Sequence, residues 1–172
     1  MLTPAQKQQL FGNAPNVDLW IGTPQVMTPK SEAVPFKYDA LEFAMMFMHP
    51  TEYVAASEVA GYSRRHADGY MPHPSARLVK FLRADAVDSV FDPRAWQLTH
   101  RSGIFELGSV LADALGQHQL GLPQTEEYFY KPSDKRLANF YARIFSKSSQ
   151  TGGFQGFKPI LVPTGEFYGY KK

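Results

Sequence analysis

The chain has no cysteine among its 172 residues. That excludes a disulfide framework, a thiolate nucleophile and a Cys-based zinc site, and it points to an intracellular protein. Long hydrophobic runs are missing as well. The longest, Phe43 to Met48, falls far short of the roughly 20 residues that a membrane helix needs. The opening residues, Met1-Leu2-Thr3-Pro4-Ala5-Gln6-Lys7, lack the apolar core of a secretory signal. There is no Walker-type Gly-rich loop, no His-Glu-x-x-His pair and no metal-spaced carboxylate cluster. Internal repeats and low-complexity tracts are also absent. These absences predict a soluble, cytoplasmic chain without membrane contact, cofactor, metal or catalytic residues of its own.

What is present is ordinary for a globular chain in bulk and uneven in detail. Hydrophobic residues make up 44% and charged residues 20%, which excludes wholesale disorder. Aromatics reach 14%, and the 13 Gly with 13 Pro predict short elements and many connections. Net charge is only +2, but its distribution is blocky. Residues 63–102 carry seven Lys/Arg and three His against four acids, residues 103–130 carry no Lys/Arg against four acids, and residues 131–172 carry eight Lys/Arg against two acids. Such blocks suit a local anion-binding or nucleic-acid-binding surface.

The local patterns predict a mainly α chain with a small C-terminal β segment. Thr3-Pro4 is a cap followed by Pro at the first helical position, opening a helix to about Phe11. Residues 13–37, with four prolines, read as an extended arm. Asp39 can cap a helix over Ala40–His49, stopped by Pro50. Thr51 and Ser63 can cap two more helices, and Ser75 can restart a helix toward Val87. The apolar sets at 102–118 and 134–147 recur at helical spacing and predict an oligomerising helical hairpin. Its interface would include Phe105, Val110, Leu111, Phe140, Ile144 and Phe145. Glu126-Glu127 reads as a solvated helix start. Phe154 to Val162 and Glu166 to Tyr170 read as two strands that need neighbours, supplied by a barrel shared between subunits. The domain boundaries expected are 1–37, 38–91, 92–150 and 151–172.

The small residues Val54 to Ala60, the Gly61 turn and the capped stretch after Ser63 have helix-turn-helix spacing. The candidate DNA contacts are Arg64, Arg65 and His66, with Lys80 and Arg83 behind them. Across Phe43 to Val87, with Ala55-Ala56, Val59-Ala60-Gly61-Tyr62-Ser63, Ala67 and Arg77-Leu78-Val79, the chain resembles the N-terminal domain of bacteriophage small terminase subunits. Gly69, Pro72 and Pro74 depart from that family's more continuous third helix. The resemblance implies a ring-shaped homo-oligomer without enzymatic activity. Such a ring would bind double-stranded viral DNA and recruit or regulate the large terminase subunit during genome packaging. Phe167, Tyr168 and Tyr170 would then contact that partner.

Two other readings stay open. One is a helix-turn-helix transcription regulator or another viral structural protein. The other is a small phosphodiesterase, because His49-Pro50-Thr51, His73-Pro74-Ser75 and His100-Arg101-Ser102 all have the His-x-Thr/Ser form.

Overall fold

The computed structural model describes residues 2–53, 61, 69–85, 103–132, 135–148, 156–160 and 168–172. The elements run α1 (Pro4–Phe11), β1 (Trp20–Ile21), β2 (Gln25–Thr28), β3 (Ser31–Tyr38), β4 (Leu41–Met48), α2 (Pro50–Tyr53), β5 (Arg77–Arg83), α3 (Gly103–Gly121), β6 (Glu127–Tyr130), α4 (Lys135–Ser148), β7 (Lys158–Ile160) and β8 (Tyr168–Lys171). All eight strands join one mixed sheet that curls into a half-barrel, and helix and strand take near-equal shares of about 33% and 34%. The expectation of a mainly α chain is therefore corrected.

The error begins at Leu41–Met48. Its first residues looked like a helix capped by Asp39. Instead Asp39 and Ala40 both adopt positive φ, 54° and 60°, and form the two-residue turn of a hairpin. Tyr38 then faces Leu41 and Ser31 faces Met48 across an eight-residue antiparallel ladder. Both faces of this strand are apolar. Phe43, Met45 and Phe47 point into the main core, while Ala44 and Met46 meet α1 on the other side. A strand buried on both faces shows no polar alternation, so its sequence cannot be told from a buried helix by period.

The same ambiguity misplaced β5. Leu78, Val79, Phe81 and Leu82 have helix-like spacing, yet Val79 and Phe81 enter the main core while Leu78 and Leu82 pack on the opposite face. The helix expected from Ser75 to Val87 is thus replaced, over Arg77–Arg83, by the strand between β4 and β6. β6 falls between the two expected helices of the hairpin, 102–118 and 134–147, where it adds a strand to the sheet.

The C-terminal strands need no neighbouring subunit. β8 lies antiparallel to β6, pairing Tyr128 with Tyr170, and β7 closes the edge against β8. The expected shared barrel is replaced by the chain's own sheet. One sheet also takes strands from all four expected segments, and the 37/38 boundary falls inside β3.

Helices cover the two faces. The capping box of Thr3 and Gln6, with Pro4 at the first position, builds α1 as its sequence demands. Leu10 and Phe11 bury against Ala33, Ala44 and Leu82. On the concave face, α3 lays Leu107, Val110, Leu111, Ala114 and Leu115 against Phe36, Phe43, Phe47 and Phe81. α4 packs on α3, where a Cβ at Gly108 would stand 3.5 Å from the Phe140 ring, so the helices approach closely. Val110, Leu111 and Ile144, expected at a subunit interface, belong to this core, and Phe140 packs against it. The side chains of Phe105 and Phe145 lie outside the described residues.

Two outcomes follow from these placements. Ala40 pays a left-handed penalty that glycine avoids, so Ala40→Gly should raise stability by about 0.5–1 kcal/mol, read as a higher urea midpoint with unchanged slope. Leu111→Ala opens a cavity at a fully buried site. It should cost about 3 kcal/mol of monomer stability whatever the protein concentration.

Candidate functional site

β5 and β6 form the parallel pair of the sheet, joined by the crossover through α3. Their ladder contains two pairs only, Arg77 with Tyr128 and Leu78 with Phe129. Past that point β5 continues along β4 to Arg83, while β6 ends at Tyr130. The ladder therefore stops with β6, one residue past its last pair, and chemistry frames both of its ends.

At the joined end sits a buried polar brace. Glu32 of β3 takes a bidentate bond from Arg77, Nε to Oε2 at 2.8 Å and Nη2 to Oε1 at 3.0 Å. His118 of α3 is fully buried, stacks on Phe47 at 3.7 Å between centroids, and places Nε2 3.5 Å from Glu32 Oε2. Its Nδ1 lies 2.8 Å from the Tyr128 hydroxyl, which donates to Gln119 Oε1 at 2.8 Å. The brace links four elements: β3, β5, α3 and β6.

The charges follow from these contacts. Burial alone would raise the Glu32 carboxyl, but hydrogen bonds from His118 and Arg77 and the guanidinium charge hold it down to about 2. Burial pushes His118 below its ordinary value and outweighs the attraction of Glu32. A neutral His118 donates from one nitrogen only, so one of its two contacts, to Glu32 or to Tyr128, is made as donor and the other nitrogen carries a lone pair.

Past the last pair stands Tyr141 of α4. Its ring packs at 5.9 Å from Phe81 of β5 and 4.5 Å from Tyr130 of β6, one on each strand. The residue is 4% exposed, and among the described residues its hydroxyl has no hydrogen-bond partner. Burial pushes this phenol far above the usual tyrosine value, so it is protonated at neutral pH. Buried polar groups are nearly always satisfied, so a buried hydroxyl with no bond among the described residues is a candidate contact point for a ligand. Tyr168 stacks on Tyr130 at 5.5 Å with 43% exposure and extends the aromatic wall outward.

The histidine motifs have a structural use. Thr51 N–H donates to His49 Nδ1, which fixes the Nε2–H tautomer, and Nε2 then bonds the Pro74 carbonyl at 2.9 Å. Ser75 N–H likewise donates to His73 Nδ1, while Ser75 Oγ accepts from Glu126 N–H. Two of the three His-x-Thr/Ser motifs are thus brought together as interlocked turns, with both His49 nitrogens occupied. His100 lies outside the described residues. Glu127, expected as a solvated helix start, is buried and accepts from Tyr70 Oη at 2.6 Å and His73 N–H at 2.8 Å.

Of the expected DNA contacts, Arg64, Arg65 and His66 lie outside the described residues. Lys80 and Arg83 are on β5, and Arg83 is bonded to Asp85. Phe43 and Arg77-Leu78-Val79, near the two ends of the stretch resembling small terminases, are in strands. Of the expected partner contacts, Phe167 lies outside the described residues, Tyr168 forms the aromatic wall, and Tyr170 is buried opposite Tyr128. Among the described residues no three His, Asp or Glu side chains could hold a metal, and no helix is long and apolar enough to cross a membrane. Comparison with protein-family models, curated proteins and solved structures finds no match to this chain.

Glu32, Arg77, His118, Tyr128 and Tyr141 are the site residues that sequence reasoning missed. The available signal was the Glu-Tyr-Phe-Tyr run at 127–130, a strand pattern ended by Lys-Pro.

Acid should weaken the fold in two stages. The unfolded chain protonates His118 near its ordinary 6.5 while the folded chain resists, so stability falls as pH drops below that value. Glu32 contributes above 4.5 and loses its contribution as pH falls toward about 2, a loss of about 3 kcal/mol. Urea midpoints from pH 8 to pH 3 check this. His118→Asn should flatten the first stage and keep the second.

Proposed function

We propose that the chain is an acyl-transfer enzyme that lays the amide-bearing arm of a thioester carrier of the coenzyme A type between β5 and β6. The observation that carries this reading is the buried hydroxyl of Tyr141, unpartnered among the described residues, on a ring packed between Phe81 and Tyr130. Two further observations support it. β5 runs from Val79 to Arg83 past its last pair with β6, which suits a slender, extended ligand whose amides mimic a strand. In sheets with parallel strands joined by a helix, ligands sit at the carboxyl ends of the strands, and the helix that follows offers its N-terminus to phosphate. Here that helix is the 19-residue α3, and His100-Arg101-Ser102 precede it in sequence.

The thioester would supply an activated acyl carbon and a sulfur leaving group. The chain's own part is to hold a proton at Tyr141 Oη, because burial keeps the phenol neutral. As an acceptor N–H or O–H group adds to the acyl carbon and the C–S bond breaks, that proton passes to sulfur. The proton released by the acceptor restores the phenol. The bond between Glu32 and Arg77 ties β5 to β3 at the level where β5 pairs with β6 and so fixes that level.

Tyr141→Phe separates the roles. It should leave coenzyme A binding within threefold, lower acyl transfer at least about 100-fold, and leave stability unchanged or slightly higher, since it removes an unsatisfied buried hydroxyl. Binding is read by calorimetry and transfer by thiol release from acetyl-coenzyme A with a panel of amines. No binding of coenzyme A, together with a destabilised Tyr141→Phe protein, would overturn the proposal. Salt-dependent binding of double-stranded DNA lost on Lys80→Ala and Arg83→Ala would favour the packaging reading instead.

A further inference from the structure

A cavity lies at the C-terminal end of α3. It measures about 430 Å³ and is lined by the β1–β2 connection and β2 (Thr23, Pro24, Gln25, Val26), by Glu32, and by the end of α3 with Leu122. Two of its walls meet closely. A Cβ at Gly121 would stand 2.9 Å from Pro24, so only glycine lets the helix end meet the β1–β2 connection without pushing it aside.

The wall chemistry is specific. Pro24, Val26, Leu120 and Leu122 give an apolar surface, and Val26 and Leu120 are left 67% and 65% exposed. The side-chain amides of Gln25 and Gln117 bond to no described protein group. Glu32 is the buried residue of the lining, with its side chain only 10% exposed. Cavities of this size that combine an apolar wall with a few convergent polar groups are the usual form of small-molecule sites.

The electrostatics select the head group. Arg77 balances Glu32, and Lys172 is engaged with the Pro123 carbonyl at 3.0 Å. The remaining field comes from the end of α3, whose last carbonyls lack intrahelical partners and carry the negative end of the helix dipole. The site therefore offers acceptors and a slightly negative potential, beside an apolar wall. We infer that this cavity binds a small molecule with an ammonium head on an apolar body, the head toward Glu32 and the end of α3. This site is independent of the thioester reading and stands or falls separately.

The test uses the full chain and phenethylamine as the probe, with phenylacetate as its carboxylate counterpart. Nuclear magnetic resonance titration should give saturable shifts at the side-chain amides of Gln25 and Gln117, with phenylacetate at least tenfold weaker. Leu120→Trp, which fills the cavity from an exposed position, should weaken phenethylamine at least tenfold. Val26→Trp serves the same purpose if the first variant does not fold. Equal binding of the two probes, absence of saturable shifts, or full affinity in the filled variant would each overturn the inference.

Discussion

The bidentate bond between Arg77 and Glu32 is the constraint on which the rest of the sheet depends. It ties β3 to β5 across β4 at the level where β5 and β6 begin to pair. A buried ion pair is costly to form and more costly to break halfway, because one lost partner leaves a charge stranded in the core. The surrounding groups raise that penalty. His118 reaches the same carboxylate, Phe47 stacks on its ring, and Tyr128 bridges it to Gln119. Five side chains from β4, β5, α3 and β6 are thereby fixed around the one carboxylate that β3 supplies.

That fixed point gives the ladder of β5 and β6 its position. β6 ends at Tyr130, one residue past the last pair, while β5 runs on to Arg83. The Tyr141 ring of α4 packs there against Phe81 and Tyr130. The two ends of the ladder thus differ in kind. One is saturated with polar contacts and keeps geometry, and the other holds a buried, neutral phenol.

Parts of this arrangement were legible in the sequence. Helix α1 was readable from Thr3-Pro4 and Gln6 because capping is local chemistry. The helices α3 and α4 were readable because their apolar positions recur at helical spacing, and the terminal strands because Gly and Pro bracket them. β4 and β5 were not readable as strands. Phe43-Ala44-Met45-Met46-Phe47-Met48 is apolar on both faces because both faces are covered, one by α3 and the other by α1. Asp39 carries two meanings, helix cap or hairpin turn, and only the pairing with β3 decides between them. The brace joins residues 32, 77, 118 and 128, so no local window contains it. Tyr141 looked like one more apolar position on an amphipathic helix, and its missing partner is visible only once the helix is packed.

The account's central claim is that the space between β5 and β6 is where a thioester carrier lies. Amide hydrogen exchange with and without acetyl-coenzyme A tests it most directly, since it reports on backbone protection peptide by peptide. The account predicts slower exchange on binding in the segments 79–83 and 128–132, with little change in β1 and β2. Unchanged exchange in those two segments at saturating acetyl-coenzyme A, or protection confined to the other end of α3, would contradict it.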